Sequence, residues 1–173
     1  MIEKKIWDSR NWTVFKTLTG HTGTVQTIEY LSDGMIVSGS SDYTAIVWNP
    51  MTGQQLASVN PFSNKIYMIK EVGSLVIAIV GKSSSVKFYK VNGSATPTLV
   101  KQITPSPSLG YIYTLVVASL SPNLKIMYAG GAYSNIGMIN VTDVTSITFM
   151  QTIEIDPNSN AYYAMEKSCK LAL

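Results

Sequence analysis

The sequence is poor in charge, in cysteine and in histidine. Only 13% of its 173 residues are charged, and it has one cysteine and one histidine. Because a disulfide needs two cysteines and a thiolate metal site needs several at close spacing, Cys169 supports neither within the chain. A hydrolase needs a nucleophile and a base that converge, whereas His21 and Cys169 stand far apart in the sequence. We therefore expect no metal and no other cofactor.

Long apolar runs and basic clusters are also missing. The longest apolar stretches, such as 75–80 and 115–118, have the length of strands and fall far short of the ~20 residues that a transmembrane helix requires. The chain has no basic start followed by an apolar signal segment. The net charge of +3 is small and the lysines are dispersed, so neither a membrane nor nucleic acid is a predicted partner. With its single cysteine, the chain is expected to be intracellular, in the cytoplasm or the nucleus.

What the sequence does have is a series of short alternating segments separated by tight turns. The clearest case spans residues 20–49. Strand-like runs there occupy 24–30, 35–38 and 44–48, with the turns Ser32-Asp33-Gly34 and Ser40-Ser41-Asp42 between them. Such a succession predicts a meander in which each strand pairs with its neighbour. Since no segment has a helical period of useful length and 46% of the residues are hydrophobic, we predict an all-β domain with a core.

A spaced polar and aromatic set runs through the same segment. Gly20-His21 opens it, Asp42 lies in its second turn, and Trp48-Asn49 closes it. The pattern resembles the WD-repeat family, whose repeats form the blades of β-propellers and run from Gly-His to Trp-Asp, with Asn49 here in place of the final Asp. Trp7 and Trp48 are 41 positions apart, within the roughly 40–45 residues of such a blade.

The resemblance implies one propeller domain over residues 1–173, with about four blades' worth of four-stranded antiparallel sheet. The expected division is a half blade at 1–19, blades at 20–62, 63–108 and 109–158, and a half blade at 159–173. Because the two halves are complementary, a closed ring of four blades can be drawn. Two alternatives stay open: a piece of a longer propeller, or two copies that assemble an eight-bladed ring. The first is favoured, because a chain that starts and stops inside a strand pair looks cut.

The resemblance also implies a structural network of His21, Ser38, Asp42 and Trp48. In the family, a loop histidine, a strand serine, a turn aspartate and the indole N–H are linked by hydrogen bonds. Buried imidazole and indole groups each need a partner. Because a histidine satisfied in this way is not free to move protons on a substrate, we expect no catalytic residue and no enzyme. The other blades lack the set and are expected to rely on apolar packing alone.

Paired carboxylates are the remaining catalytic option, as in a propeller glycosidase. Of the ten acidic residues, only Asp42, Glu71 and Glu166 are expected near an inner strand or a top loop. Fold alone does not assign such chemistry.

Recognition of another protein is the function that the resemblance favours. A propeller offers a rigid disc whose top loops surround a shallow funnel, and exposed aromatic residues there are the usual anchors. The predicted contact residues are Tyr43, Phe62, Asn64, Lys82, Tyr111, Tyr133 and Tyr162. We predict a noncatalytic scaffold or adaptor that binds an unidentified protein or peptide. The alternative is a partial propeller without independent activity, completed by a missing segment or by a second copy as a homodimer.

Overall fold

The computed structural model describes residues 3–105, 109–133 and 135–154, and every regular element among them is a β-strand. These strands form three four-stranded sheets and one two-stranded sheet. All pairings are antiparallel and join strands that are consecutive in the chain. The predicted all-β class and its four-stranded blades are confirmed. The half blade predicted at 159–173 lies outside the described residues.

The strands are numbered in chain order, and each sheet is named for use below. The N-terminal hairpin consists of β1 (Glu3–Asp8) and β2 (Thr13–Thr19). Blade 1 consists of β3 (Val25–Tyr30), β4 (Ile36–Ser40), β5 (Ala45–Trp48) and β6 (Gln55–Val59). Blade 2 consists of β7 (Ile66–Gly73), β8 (Val76–Gly81), β9 (Val86–Asn92) and β10 (Ala95–Ile103). Blade 3 consists of β11 (Ile112–Ser121), β12 (Leu124–Gly131), β13 (Asn135–Asn140) and β14 (Thr148–Glu154).

Strand β8 shows why these sheets stack. All six of its residues are buried. Ile77 and Ile79 belong to an apolar cluster with residues of blade 1 such as Val37. The alternate residues of the strand, 76, 78 and 80, belong to a cluster with blade 3. Because successive side chains of a strand point to opposite faces, a continuous apolar run suits a strand that is covered on both sides. Blade 2 is therefore packed between blades 1 and 3.

Polar contacts also cross between the blades. Lys70 of β7 forms an ion pair with Glu29 of β3 at 2.9 Å, and the N–H of Ile69 donates to the hydroxyl of Thr27 at 3.4 Å. On the other side of blade 2, Lys125 Nζ of β12 donates to the Val72 carbonyl at 3.0 Å. The blades are thus joined by hydrogen bonds as well as by apolar packing.

The N-terminal hairpin covers only part of the outer face of blade 1. Leu18 of the hairpin packs with Ile46 and Trp48 in a third apolar cluster. Ile28 and Tyr30 of β3 are 54% and 69% exposed. Ile28 is paired with Ser38, and Tyr30 with Ile36, which packs against the hairpin cluster. Because paired residues point to the same face of a sheet, Ile28 and Tyr30 face the side on which the hairpin lies. Among the described residues, β1 pairs with β2 alone, and its other edge is open.

No described residue belongs to a helix that is long and apolar enough to cross a membrane.

Candidate functional site

Four side chains of blade 1 and the loop before it form one hydrogen-bonded chain. Trp48 Nε1 donates to Ser38 Oγ at 2.8 Å, and Ser38 Oγ lies 2.7 Å from His21 Nε2. His21 Nδ1 lies 2.9 Å from Asp42 Oδ2. Ser38 and Trp48 stand on the paired strands β4 and β5, while Asp42 lies in the turn that joins them. The structure therefore brings together the four residues that the sequence singled out.

The donors and acceptors of this network assign its protons. An indole N–H only donates, so the Ser38 oxygen accepts from Trp48 and its own hydroxyl hydrogen is left to donate to His21 Nε2. In the neutral imidazole, this arrangement places the ring hydrogen on Nδ1, which donates it to the Asp42 carboxylate. Both ring nitrogens of His21 are occupied, and only 2% of the residue is exposed. Neither ring nitrogen is therefore accessible from solvent.

Thr44 completes the network, although the sequence analysis did not include it. Its hydroxyl donates to Asp42 Oδ1 at 2.6 Å and lies 3.0 Å from His21 Nδ1. Its backbone N–H donates to the same carboxylate oxygen at 3.0 Å. A threonine two positions after a turn aspartate is a recognisable signal, since Asp side chains commonly accept from the backbone two residues on.

The environment of Asp42 holds its carboxylate in the charged form. Burial by itself raises the pKa of Asp42. Hydrogen bonds from the hydroxyl and N–H of Thr44, from the N–H of Thr22 and from the His21 side chain outweigh that effect and leave the pKa well below its usual range. The network is therefore anchored on a permanent negative charge at neutral pH.

Tyr43 follows Asp42 in the same turn and adopts an uncommon backbone conformation. Its φ is +75°, in the left-handed region that non-glycine residues seldom occupy. Its N–H donates to the Ser40 carbonyl at 3.3 Å, and Thr44 on the other side is bound to Asp42. The ring is 44% exposed. The network thus holds in place a strained turn that presents an aromatic ring to solvent.

An open cleft of about 550 Å³ lies where blades 1 and 2 meet beside this turn. Its walls come from the β4–β5 turn, the β6–β7 loop, the β8–β9 turn and the adjoining ends of β9 and β10. The lining residues are Tyr43, Asn60, Pro61, Phe62, Ser63, Asn64, Lys82, Ser83, Ser85, Lys87 and Gln102. We call it the top-face cleft. It gathers four predicted contact residues, namely Tyr43, Phe62, Asn64 and Lys82.

The wall of the cleft is fixed by close contact between the backbone of the β8–β9 turn and that of the β6–β7 loop. The Lys82 N–H donates to the Lys65 carbonyl at 2.9 Å. A Cβ on Gly81 would stand only 2.2 Å from that same oxygen, so glycine is required there. Lys87 Nζ donates to the Pro61 carbonyl at 2.6 Å and lies 5.1 Å from the centre of the Phe62 ring. The β6–β7 loop is therefore fastened to blade 2 from two sides.

Lys87 is a cleft residue that sequence reasoning missed. It stands in β9 between the buried residues Val86 and Phe88. The same strand also holds Lys90, so a lysine at this point of the sequence was no sufficient signal, and the place of Lys87 depends on its contacts with Pro61 and Phe62 of the β6–β7 loop.

Tyr111 adjoins the top-face cleft on the side of blade 3, and Tyr133 stands in the β12–β13 turn of the same blade. Lys82 Nζ lies 5.5 Å from the centre of the Tyr111 ring, and the Ile112 N–H donates to the Ser83 carbonyl at 3.2 Å. The Tyr133 N–H donates to the Leu109 carbonyl at 3.3 Å. Both rings are exposed, at 44% and 60%. The remaining predicted contact residue, Tyr162, lies outside the described residues.

Two expectations concern the other polar residues. Glu71 lies on β7, the first strand of blade 2, at the end away from the top loops, where it accepts hydrogen bonds from Ser32 in the β3–β4 turn and from Leu75 in the β7–β8 turn. It therefore forms no carboxylate pair with Asp42, and Glu166 lies outside the described residues. Blade 2 does not rely on apolar packing alone, because Ser85 is buried and its hydroxyl lies 3.1 Å from that of Thr104.

The described residues contain no group of three or more His, Cys, Asp or Glu side chains that could hold a metal ion.

Four-stranded antiparallel blades, together with the network of His21, Ser38, Asp42 and Trp48, resemble the blades of the WD-repeat β-propeller class. The curated relatives of the chain are WD-repeat proteins. No family model matches the chain.

Three comparisons give the extent of the likeness. The chain is 25% identical to eukaryotic translation initiation factor 3 subunit I of Candida glabrata, over 96% of this chain and 51% of that protein. It is 31% identical to a subunit of chromatin assembly factor 1 from Gallus gallus, over 58% of this chain and 18% of that protein. The crystal structure of the computationally designed Ika8 protein superposes with a TM-score of 0.68 and 17% identity, over 88% of this chain and 43% of that one, which supports the fold alone. The chain spans about half the length of the translation factor subunit.

Proposed function

We propose that this chain is a noncatalytic scaffold module that binds a protein or peptide partner through the top-face cleft. The observation that carries the proposal is the convergence of Tyr43, Phe62 and Lys82, which come from three separate connections of two blades, in one open cleft. Aromatic side chains gathered in a concave surface are the typical anchors of protein interfaces. The exposed rings of Tyr111 and Tyr133 extend this surface towards blade 3.

The rigidity of the cleft supports binding. Asp42 fixes the turn of Tyr43, and Lys87 fixes the loop of Phe62. Walls that are already ordered lose little conformational freedom when a partner binds, and that loss is one of the main costs of association. The enclosed ring of His21 in turn favours a structural rather than a catalytic role for the only histidine.

The relatives support a role inside an assembly. Two of them are named as subunits, one of a translation initiation factor and one of a chromatin assembly factor. By analogy, we propose that this chain also works as part of a larger complex, in the cytoplasm or the nucleus.

Affinity capture with matched variants tests the proposal. The wild-type chain, a Tyr43→Ser/Tyr111→Ser double variant and a Met51→Ser variant are each immobilised and incubated with cell lysate. Met51 is 67% exposed in the β5–β6 turn, at the end of blade 1 opposite the cleft, and serves as control. The same set of proteins should be retained by the wild type and by Met51→Ser and lost from the double variant. Equal retention by all three chains would refute the proposal.

The uncovered part of blade 1 favours a second candidate, in which the chain is a partial propeller completed by a second copy or by a further segment. Within the described residues the second edge of β1 is unpaired, and the exposed Ile28 and Tyr30 lie on the side of blade 1 that the hairpin partly covers. Two further strands paired with β1 would cover them, as β7 covers the other face of β3. The division into a half blade at 1–19 and blades at 20–62, 63–108 and 109–158 belongs to this proposal.

Light scattering separates the two assemblies. A solution mass of 18.9 kDa that persists on dilution would exclude completion by a second copy. A stable mass of twice that value, lost when Ile28 and Tyr30 are replaced together by serine, would support the homodimer.

A further inference from the structure

The top-face cleft carries two positive charges that no acidic residue balances. Lys82 and Lys87 line it, and none of its lining residues is Asp or Glu. The ion pairs among the described residues join Arg10 to Asp8, His21 to Asp42 and Lys70 to Glu29, so neither cleft lysine takes part in one. Each ammonium group instead lies over an aromatic ring, that of Tyr111 for Lys82 and that of Phe62 for Lys87.

The acidic residue nearest in sequence to the cleft is already engaged. Asp42 precedes Tyr43, but its carboxylate accepts hydrogen bonds from Thr22, Thr44 and His21. A carboxylate so fully occupied has little left to offer the lysines. The positive charge of the cleft is therefore available to a ligand.

The uncharged polar groups of the cleft also favour an acceptor as ligand. Asn64 Oδ1 accepts from the Lys65 N–H at 3.0 Å, which leaves the amide NH₂ of Asn64 to donate. Lys87 uses one of its three N–H groups on Pro61 and keeps two. The Asn64 amide and the Lys87 ammonium group thus offer hydrogen-bond donors where Phe62 and Tyr43 supply apolar surface.

From these observations we infer that the cleft recognises an acidic peptide segment, in which Asp or Glu side chains lie beside an apolar or aromatic residue. The inference rests on the proposed function, since it names the chemistry of the partner at the same site. The carboxylates pair with Lys82 and Lys87, and the apolar residue packs between the rings of Tyr43 and Phe62. Charge complementarity of this kind sets which partners are accepted and speeds their association.

Two other anionic ligands fit the cleft less well. Phosphate groups are bound best by the planar guanidinium of arginine, and the single arginine of the chain, Arg10, lies in the β1–β2 turn. Nucleic acid requires a track of many basic residues along its backbone, whereas the net charge of the whole chain is only +3. An acidic peptide needs no more than the two lysines present.

Selection from a random-peptide phage library tests the inference. The baits are the wild-type chain, a Lys82→Gln/Lys87→Gln variant and a Lys16→Gln/Lys101→Gln variant of the same net charge. Lys16 lies over the Phe15 ring at 5.5 Å, so the control also removes a lysine stacked on an aromatic ring, but outside the cleft. Wild type and control should enrich peptides rich in Asp and Glu, and the cleft variant should not.

Fluorescence anisotropy then measures how tightly three ligands bind each chain. They are the enriched peptide, its counterpart with Glu→Gln and Asp→Asn replacements, and labelled oligouridine. The acidic peptide should bind the cleft variant about tenfold more weakly than the control, the loss expected for two exposed ion pairs. Enrichment of neutral or basic peptides, equal binding of the neutral counterpart, or no enrichment would overturn the acidic-peptide inference. Competition by oligouridine for the acidic peptide would overturn it as well. The lysate capture with the tyrosine double variant tests the proposed function separately from these outcomes.

Discussion

Glu71 of blade 2 accepts two hydrogen bonds from Ser32 of blade 1, one from the backbone N–H at 2.8 Å and one from the hydroxyl at 2.7 Å. The same carboxylate accepts from the Leu75 N–H at 3.1 Å. It therefore ties the β3–β4 turn of blade 1 to the β7–β8 turn of blade 2. This tie lies at the ends of the strands away from the top-face cleft, which is fastened separately by Lys87.

Replacing Glu71 with Ala should loosen the contact between blades 1 and 2. Three N–H or O–H donors lose their charged acceptor, and we expect the free energy of unfolding to fall by about 1–2 kcal/mol, because part of the site is open to water. Urea denaturation followed by tryptophan fluorescence measures the change. Glu154→Ala, at the exposed end of β14, is the control. Equal midpoints for the two variants would contradict this role of Glu71.

Replacing Asp42 with Ala should destabilise blade 1. The His21 imidazole and the Thr44 hydroxyl lose their acceptor in a mostly buried place, at a cost of about 1–3 kcal/mol. Thermal or urea denaturation gives the value. Asp33→Ala is the matched control, since Asp33 lies in an exposed turn and accepts from the Met35 N–H at 3.1 Å. If both variants unfold at the wild-type midpoint, the network does not stabilise the fold.

The stabilisation from Asp42 should also depend on pH. The pKa of Asp42 in the folded chain lies below the value of about 3.9 in an unfolded chain. The unfolded state therefore binds the proton more readily, so the contribution is complete above that unfolded value and is lost as the pH falls towards the folded one. The difference between the urea midpoints of the wild type and Asp42→Asn should be largest at neutral pH, and it should shrink steadily as the pH falls below the unfolded pKa towards the folded one.

A serine variant provides the control for that pH series. Ser38→Ala removes the acceptor of Trp48 but no titrating group, so its deficit should stay the same over the range. A constant difference between the wild type and Asp42→Asn would mean that the carboxylate contributes no charge-dependent stability.

At Tyr43, replacement by glycine should destabilise the chain less than replacement by alanine, the reverse of the usual order. At most positions alanine is the better tolerated of the two, but at a φ of +75° a Cβ costs about 1–2 kcal/mol that glycine avoids. Tyr43→Gly should therefore unfold at a higher denaturant concentration than Tyr43→Ala, while both lose the ring that lines the cleft. Partner capture should fall equally for the two. A Gly variant less stable than the Ala variant would show that the turn is not strained.

Removing residues 1–18 should make the chain associate. The deletion uncovers Ile36, Ile46 and Trp48, on which the hairpin now packs. Exposed apolar patches of this kind promote self-association. Light scattering at rising protein concentration measures the mass, and amide exchange measures protection in β4. Unchanged mass together with unchanged exchange would show that the hairpin does not protect blade 1.

Most of the strands and the four members of the network could be predicted from the sequence, because both depend on local patterns. Alternation and turn residues mark the strands, and His21 and Trp48 stand at a recognisable spacing. Glu71 could not be placed in this way. Strand β7 runs as far as Gly73, and this length carries Glu71 to the far turn. Lys87 joins the cleft only through contacts between blades, which no local pattern reveals.

Among residues 3–105, 109–133 and 135–154, no strand pairs with the second edge of β1, and an edge of this kind has a consequence for solubility. An unpaired strand offers its N–H and C=O groups to any other extended chain, and natural proteins guard such edges with charged side chains. Although the chain is sparsely charged as a whole, four of the six residues of β1 are Glu3, Lys4, Lys5 and Asp8. The scarce charges are thus concentrated where unselective pairing is easiest. Charges in such positions act as gatekeepers against association of exposed strands.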